Sequence, residues 1–119
     1  MILLEWWIST SGALQDGGRL DVAEWSAYEV AKQGGRHAGL LRIYQGKSVE
    51  EIQRALRSYE RQVALHQQKM RSPETFVQDW GRRSPRAQQG LLRHWQQDLT
   101  RNQELADVMR GILQERGIQ

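Results

Sequence analysis

Gly34-Gly35-Arg36-His37-Ala38-Gly39 is the stretch of this chain with the clearest capacity for chemistry. An imidazole titrates near neutral pH and moves protons, and a guanidinium stabilises developing negative charge. The glycines around them allow turns that other residues resist. His37 is therefore the candidate general acid/base, and Arg36 is the candidate phosphate holder. Lys47, beyond Tyr44 and Gly46, joins them as the third candidate catalytic residue. The segment is not a P-loop, because no Gly-Lys-Ser/Thr follows the first glycine at the required gap. The same residues also read as a helix C-cap followed by a turn with an exposed histidine.

The two other histidines read differently. His66 falls on an apolar helix face between Val63 and Met70, the position of a packed imidazole bonded to a neighbour such as Tyr59 or a glutamate. His94 and Asp98 are four residues apart and share a helix face, where an aspartate orients an imidazole. That pair reads as a surface pair before a catalytic one. Three histidines without any cysteine form no recognised ligand spacing, so no metal ligand is assigned. No HExxH, no paired carboxylates and no nucleophile elbow appear. No cofactor is identifiable from these residues.

Binding chemistry is better supplied. Of the 17 basic residues in the 119-residue chain, 14 are arginine, the residue that grips phosphates bidentately and stacks on flat rings. The formal net charge of +3 hides an uneven distribution. Residues 1–31 are acidic, 32–71 carry nine basic groups against three acidic ones, and 72–119 are nearly neutral. Arg54, Arg57 and Arg61 recur at helical spacing, off the apolar seam, and Arg42 precedes them. Arg82, Arg83 and Arg86 cluster at a helix start, an electrostatically awkward place because helix N-termini favour anions. These seven arginines are the candidate nucleic-acid-binding residues, with Arg57 also a candidate phosphate holder beside Arg36 and Lys47. The alternative is a solvated, arginine-rich helix face.

The elements that must position these groups are mainly α-helical. Asp21 is placed to cap a helix running to about Gln33, ended by Gly34-Gly35. A short helix through Leu40, Leu41 and Tyr44 stops at Gly46. Ser48-Val49-Glu50-Glu51 is a capping box, and the helix it opens bears a seam of Val49, Ile52, Leu56, Tyr59, Val63, His66 and Met70. Ser72-Pro73 ends that helix and starts a short one that takes Phe76, Val77 and Trp80 towards the core. Ser84-Pro85 starts a long helix to about Glu115, with a seam of Leu92, Trp95, Leu99, Asn102, Ala106, Met109 and Leu113. The two long helices should pack antiparallel, with His66 and Met70 near Leu92 and Trp95, and Val49 and Ile52 near Met109 and Leu113. The expectation is one domain, with residues 1–22 as a hairpin or arm and 23–119 as the helical body. No apolar run approaches the roughly 18 residues of a membrane span.

From Gly34 to Leu113, about two-thirds of the chain, the sequence resembles the C-terminal effector domains of bacterial polymorphic toxins of the Rhs and contact-dependent-inhibition class. The resemblance rests on Gly34–Leu41, Gly46–Ile52, Leu56–Val63 with His66, Ser72-Pro73 with Trp80, Leu91–Trp95 and Met109–Leu113. It implies a toxin domain released from a secreted delivery protein and delivered into the cytoplasm of a target bacterium. A cognate immunity protein would neutralise it. Many domains of that class are nucleases, so the resemblance also implies nucleic acid as the target. It supplies no catalytic residues. A non-enzymatic helical module that binds protein or nucleic acid is the competing expectation.

Overall fold

The computed structural model describes residues 25–118, and within them every regular element is helical. The expected N-terminal hairpin or arm, and Asp21, lie outside the described residues. In chain order the elements are α1 (Ala27–Lys32), α2 (Ala38–Gln45), α3 (Val49–Arg71), α4 (Pro73–Phe76), a 3-10 turn (Trp80–Arg82) and α5 (Pro85–Glu115). Among the described residues no helix is long and apolar enough to cross a membrane.

Side-chain caps set most of the helix starts. Ser26, Ser48 and Ser84 each accept a hydrogen bond from the backbone N–H three residues on, satisfying a donor that has no partner inside the helix. The first described helix thus begins at Ala27 behind Ser26, and Trp25 stands before it. At Ser48 the reciprocal half of the capping box differs from the usual form. The Glu51 carboxylate meets the Ser48 hydroxyl at 3.2 Å rather than its backbone N–H.

Two glycines close helices in the left-handed region. Gly34 (φ 89°) ends α1, with Gly35 N–H donating to Val30 O at 3.0 Å and Gly34 N–H to Ala31 O at 3.0 Å. Gly117 (φ 77°) ends α5 in the same way and turns Ile118 back onto the apolar core. These are the paired bonds of a Schellman motif, which a residue with a Cβ adopts only under strain.

The two long helices α3 and α5 form an antiparallel pair. His66 faces Asp98, Lys69 lies over Trp95, and Glu60 meets Arg110, so rising numbers on one helix oppose falling numbers on the other. Both expected seams are on the inner side, with Ile52, Val63 and His66 buried from α3 and Trp95, Leu99, Asn102, Ala106, Met109 and Leu113 from α5.

The C-terminal half of α5 buries a second face that the single seam did not anticipate. Val108 and Gly111 are enclosed beside Ile112, which was expected to widen the seam with Leu91 and Leu105, because α1 and α2 pack there with Tyr28, Ala31 and Leu41. A Cβ at Gly111 would overlap the Tyr28 ring. The peptide N–H of Tyr28 donates to Asp107 Oδ2 at 3.0 Å, which fixes the first turn of α1 on α5.

One expectation about the core is corrected at the α3–α5 corner. Phe76 is 41% exposed, since α4 is only a single turn and leaves its ring outside. Val77 and Trp80 are only half-buried, with Trp80 stacked on Trp95, centroids 6.0 Å apart and planes at 22°.

Candidate functional site

His37 stands where α1 has stopped and α2 has not begun. It is the N-cap of α2, in the left-handed region at φ 71°. Histidine is among the few non-glycine types that visit this region with any frequency, yet the conformation still costs about 1–3 kcal/mol. The Schellman closure at Gly34-Gly35 brings the chain back over α5 and delivers Arg36 and His37 together onto one carboxylate.

That carboxylate is Glu104. Its Oε1 lies 2.9 Å from His37 Nε2 and 2.9 Å from Arg36 Nε. The two nitrogens are 3.3 Å apart. A carboxylate accepts and cannot donate, so Glu104 bonds the ring when His37 Nε2 carries the hydrogen. With Nε2 bare, the ring instead accepts from the Arg36 Nε–H, which is directed at it. The His37 side chain is 14% exposed and that of Arg36 is 63% exposed. The site is thus a half-sheltered imidazole whose Nε2 meets a carboxylate and a guanidinium, with the end of the guanidinium in solvent. A base, an orienting acid and an anion-binding cation are the components of general acid–base catalysis on a phosphate.

Glu104 was not among the residues singled out in the sequence. It sits 67 positions from His37 and between the seam residues Asn102 and Ala106. The one signal in the sequence was a run of five polar residues, Thr100 to Glu104, within the helix that carries the seam.

Among the described residues none of the other candidates pairs with Glu104. Lys47, at the α2–α3 connection, has its Nζ 3.7 Å from Glu51 Oε2. Arg42 lines a cavity of about 240 Å³ between α1 and α2 together with Lys32, Gly34 and Gln45. Arg54, Arg57 and Arg61 are all exposed on α3. Arg82 closes the 3-10 turn, Arg83 follows it, and Arg86 is in the first turn of α5, all exposed. Among the described residues none of these seven arginines pairs with a carboxylate. Six of them form two patches, one on α3 and one at the start of α5, and Arg42 stands on α2. Arg57 borders the C-terminal part of α5 near Arg110, whereas Arg86 is 24 residues earlier, about 36 Å along the helix at 1.5 Å per residue.

The remaining histidines meet at one aspartate. Asp98 Oδ2 is 3.5 Å from His66 Nε2 and 3.3 Å from His94 Nε2, and Arg101 Nη2 is 3.6 Å from Oδ1. His66 is buried, and its Nδ1 is 2.7 Å from the carbonyl of Gln62. Its partners are therefore the Gln62 backbone and Asp98, not Tyr59 or a glutamate. This group ties α3 to α5 across the seam. Among the described residues no group of three or more His, Asp or Glu is placed to hold a metal ion.

Comparison with known proteins finds no matching family model, no matching curated protein and no matching solved structure. The functional reading consequently rests on the Arg36–His37–Glu104 cluster and the two arginine patches.

Proposed function

We propose that this chain is an antibacterial effector domain that cleaves nucleic acid in a target cell, with His37 as the general base. The observation that carries the reading is the single carboxylate oxygen of Glu104 engaging both His37 Nε2 and Arg36 Nε at 2.9 Å. In the tautomer with Nε2–H on Glu104, His37 Nδ1 accepts the proton of the attacking hydroxyl, from water or a ribose, as its oxygen bonds to phosphorus; the P–O bond to the leaving sugar oxygen breaks, and that oxygen takes a proton from the imidazolium or from water. Glu104 stabilises the imidazolium that results, as the carboxylate of a catalytic triad does. The solvent end of Arg36 binds the phosphate and offsets its growing charge. The exposed arginines supply affinity for the backbone, and the sequence resemblance to polymorphic-toxin effectors supplies the biological setting. A dedicated immunity protein in the producing cell belongs to that setting.

The test is expression in a bacterium that lacks an immunity partner. Arrested growth with degraded RNA or DNA is expected. Normal growth with intact nucleic acids contradicts the proposal. The arginine patches also favour a second reading, a non-enzymatic nucleic-acid-binding module. That reading expects salt-sensitive binding without any strand cleavage.

A further inference from the structure

The arginine stripe of α3 runs beside a cleft that the catalytic cluster does not use. The cleft has a volume of about 400 Å³ and lies where α3 faces the end of α5. Leu56, Leu113 and Ile118 supply its apolar lining, and Gln53 and Gln114 line it as well. Arg57 belongs to both features: it lines the cleft and stands between Arg54 and Arg61 on the exposed side of α3. Arg110 also lines it, tied to Glu60 by a 2.7 Å ion pair.

We infer that this cleft is an anchoring subsite for single-stranded nucleic acid, seating one unstacked base while Arg54, Arg57 and Arg61 hold the adjoining phosphates. The inference rests on the nucleic-acid reading above and adds to it the form of the ligand. Charge complementarity selects an anion, since none of the three arginines pairs with a carboxylate among the described residues. Apolar walls select a ligand with a flat hydrophobic part. Each glutamine amide offers a donor and an acceptor, the combination that reads a base edge. A guanidinium at the rim stacks on a base and bonds a phosphate with the same group. The spacing of the arginines, three and four residues, sets them about 4.5 and 6 Å apart along the helix axis, close enough to follow one strand. A duplex keeps its bases stacked inside and leaves the cleft empty, whereas a single strand splays a base outward.

The cleft joins α3 to α5, while His37 reaches α5 from the α1–α2 turn. The subsite therefore anchors substrate and takes no part in proton transfer.

The experiment uses the full chain with His37→Asn, so that bound strands stay intact. Fluorescence anisotropy compares a labelled 12-nucleotide single strand with the duplex of the same sequence. Binding of the single strand at least tenfold tighter than the duplex is expected. Gln114→Glu, an exposed position, should lower single-strand affinity about tenfold without moving the thermal unfolding midpoint. Arg57→Gln should weaken it and reduce the slope of log affinity against log salt by about one. Equal binding of both forms, or indifference to Gln114→Glu and Arg57→Gln, overturns the subsite and leaves the nuclease reading standing. Failure to bind either form overturns the nucleic-acid reading itself. Poly-glutamate binding as tightly as the strand also overturns the subsite, because the cleft would then suit an acidic protein.

Discussion

Glu104 Oε1 lies 2.9 Å from His37 Nε2, although the two residues stand 67 positions apart. The pair exists because α1 ends in a glycine turn and because the second face of α5 is buried beneath α1 and α2. Its role in catalysis is open to a direct substitution. Glu104→Gln keeps the shape and removes the charge that orients and stabilises the imidazole. Strand cleavage should fall by about 10- to 1,000-fold, less than on removing His37 itself, given that a positioned acid–base group contributes about 10²–10⁴-fold. A turnover unchanged in Glu104→Gln would separate Glu104 from the reaction.

Asp107 gives a prediction about pH. Burial is the largest influence on its carboxyl and holds it above the ordinary carboxylate range; the N–H groups of Tyr28 and Ala27, the Ser26 hydroxyl and Arg110 pull it back only in part. A raised value means that the folded state binds this proton more tightly than the unfolded state does. The associated stability is present below the ordinary carboxylate range and is lost as pH rises through the raised value. Asp107→Asn should remove this falling component while keeping an acceptor for the Tyr28 N–H. Asp107→Ala should cost about 1–3 kcal/mol, the penalty for stranding a buried donor. Urea midpoints at pH 4 and pH 7 check both statements. An alanine variant as stable as the parent would contradict the second, and an asparagine variant with the parent's pH dependence would contradict the first.

The packing of α1 on α5 depends on a missing side chain. At Gly111 an added methyl would run into the Tyr28 ring, so α1 would have to move away. Gly111→Ala should therefore destabilise the fold by about 1–3 kcal/mol through overpacking, despite the better helix propensity of alanine. Because α1 leads directly into His37, the same variant should also lower cleavage. Thermal unfolding and a cleavage assay together test this, and a more stable variant would show that the helix propensity gain outweighs the clash.

Much of this fold is legible in the residue pattern, for physical reasons that differ between elements. The seams from Val49 to Met70 and from Leu92 to Leu113 repeat at three and four residues because each faces one neighbour. Ser48 and Ser84 mark helix starts because their hydroxyls satisfy local donors, and both appear in the structure as caps. The burial of Val108 and Gly111 is not legible, since it arises from a third partner packing on a face without a regular apolar stripe. Phe76 misleads because hydrophobicity alone does not show that its helix is one turn long. At the site, His37 and Arg36 stand out as residue types in a glycine setting. Glu104 does not, because its importance comes only from tertiary proximity. Arg54, Arg57 and Arg61 are visible as a spacing, whereas the cleft beside them requires Leu113, Gln114 and Ile118 to be folded against α3.

The most direct measurement is incubation of the purified chain and its His37→Asn variant with labelled RNA and labelled DNA, resolved on a denaturing gel. Asparagine also accepts the left-handed backbone at this position, so the turn survives the substitution. Cleavage of at least one substrate by the parent chain, reduced about 100-fold or more in the variant, is the expected result. Intact RNA and DNA with the parent chain, or equal cleavage by both proteins, would contradict the assignment of His37 as the base of a nucleic-acid-cleaving site.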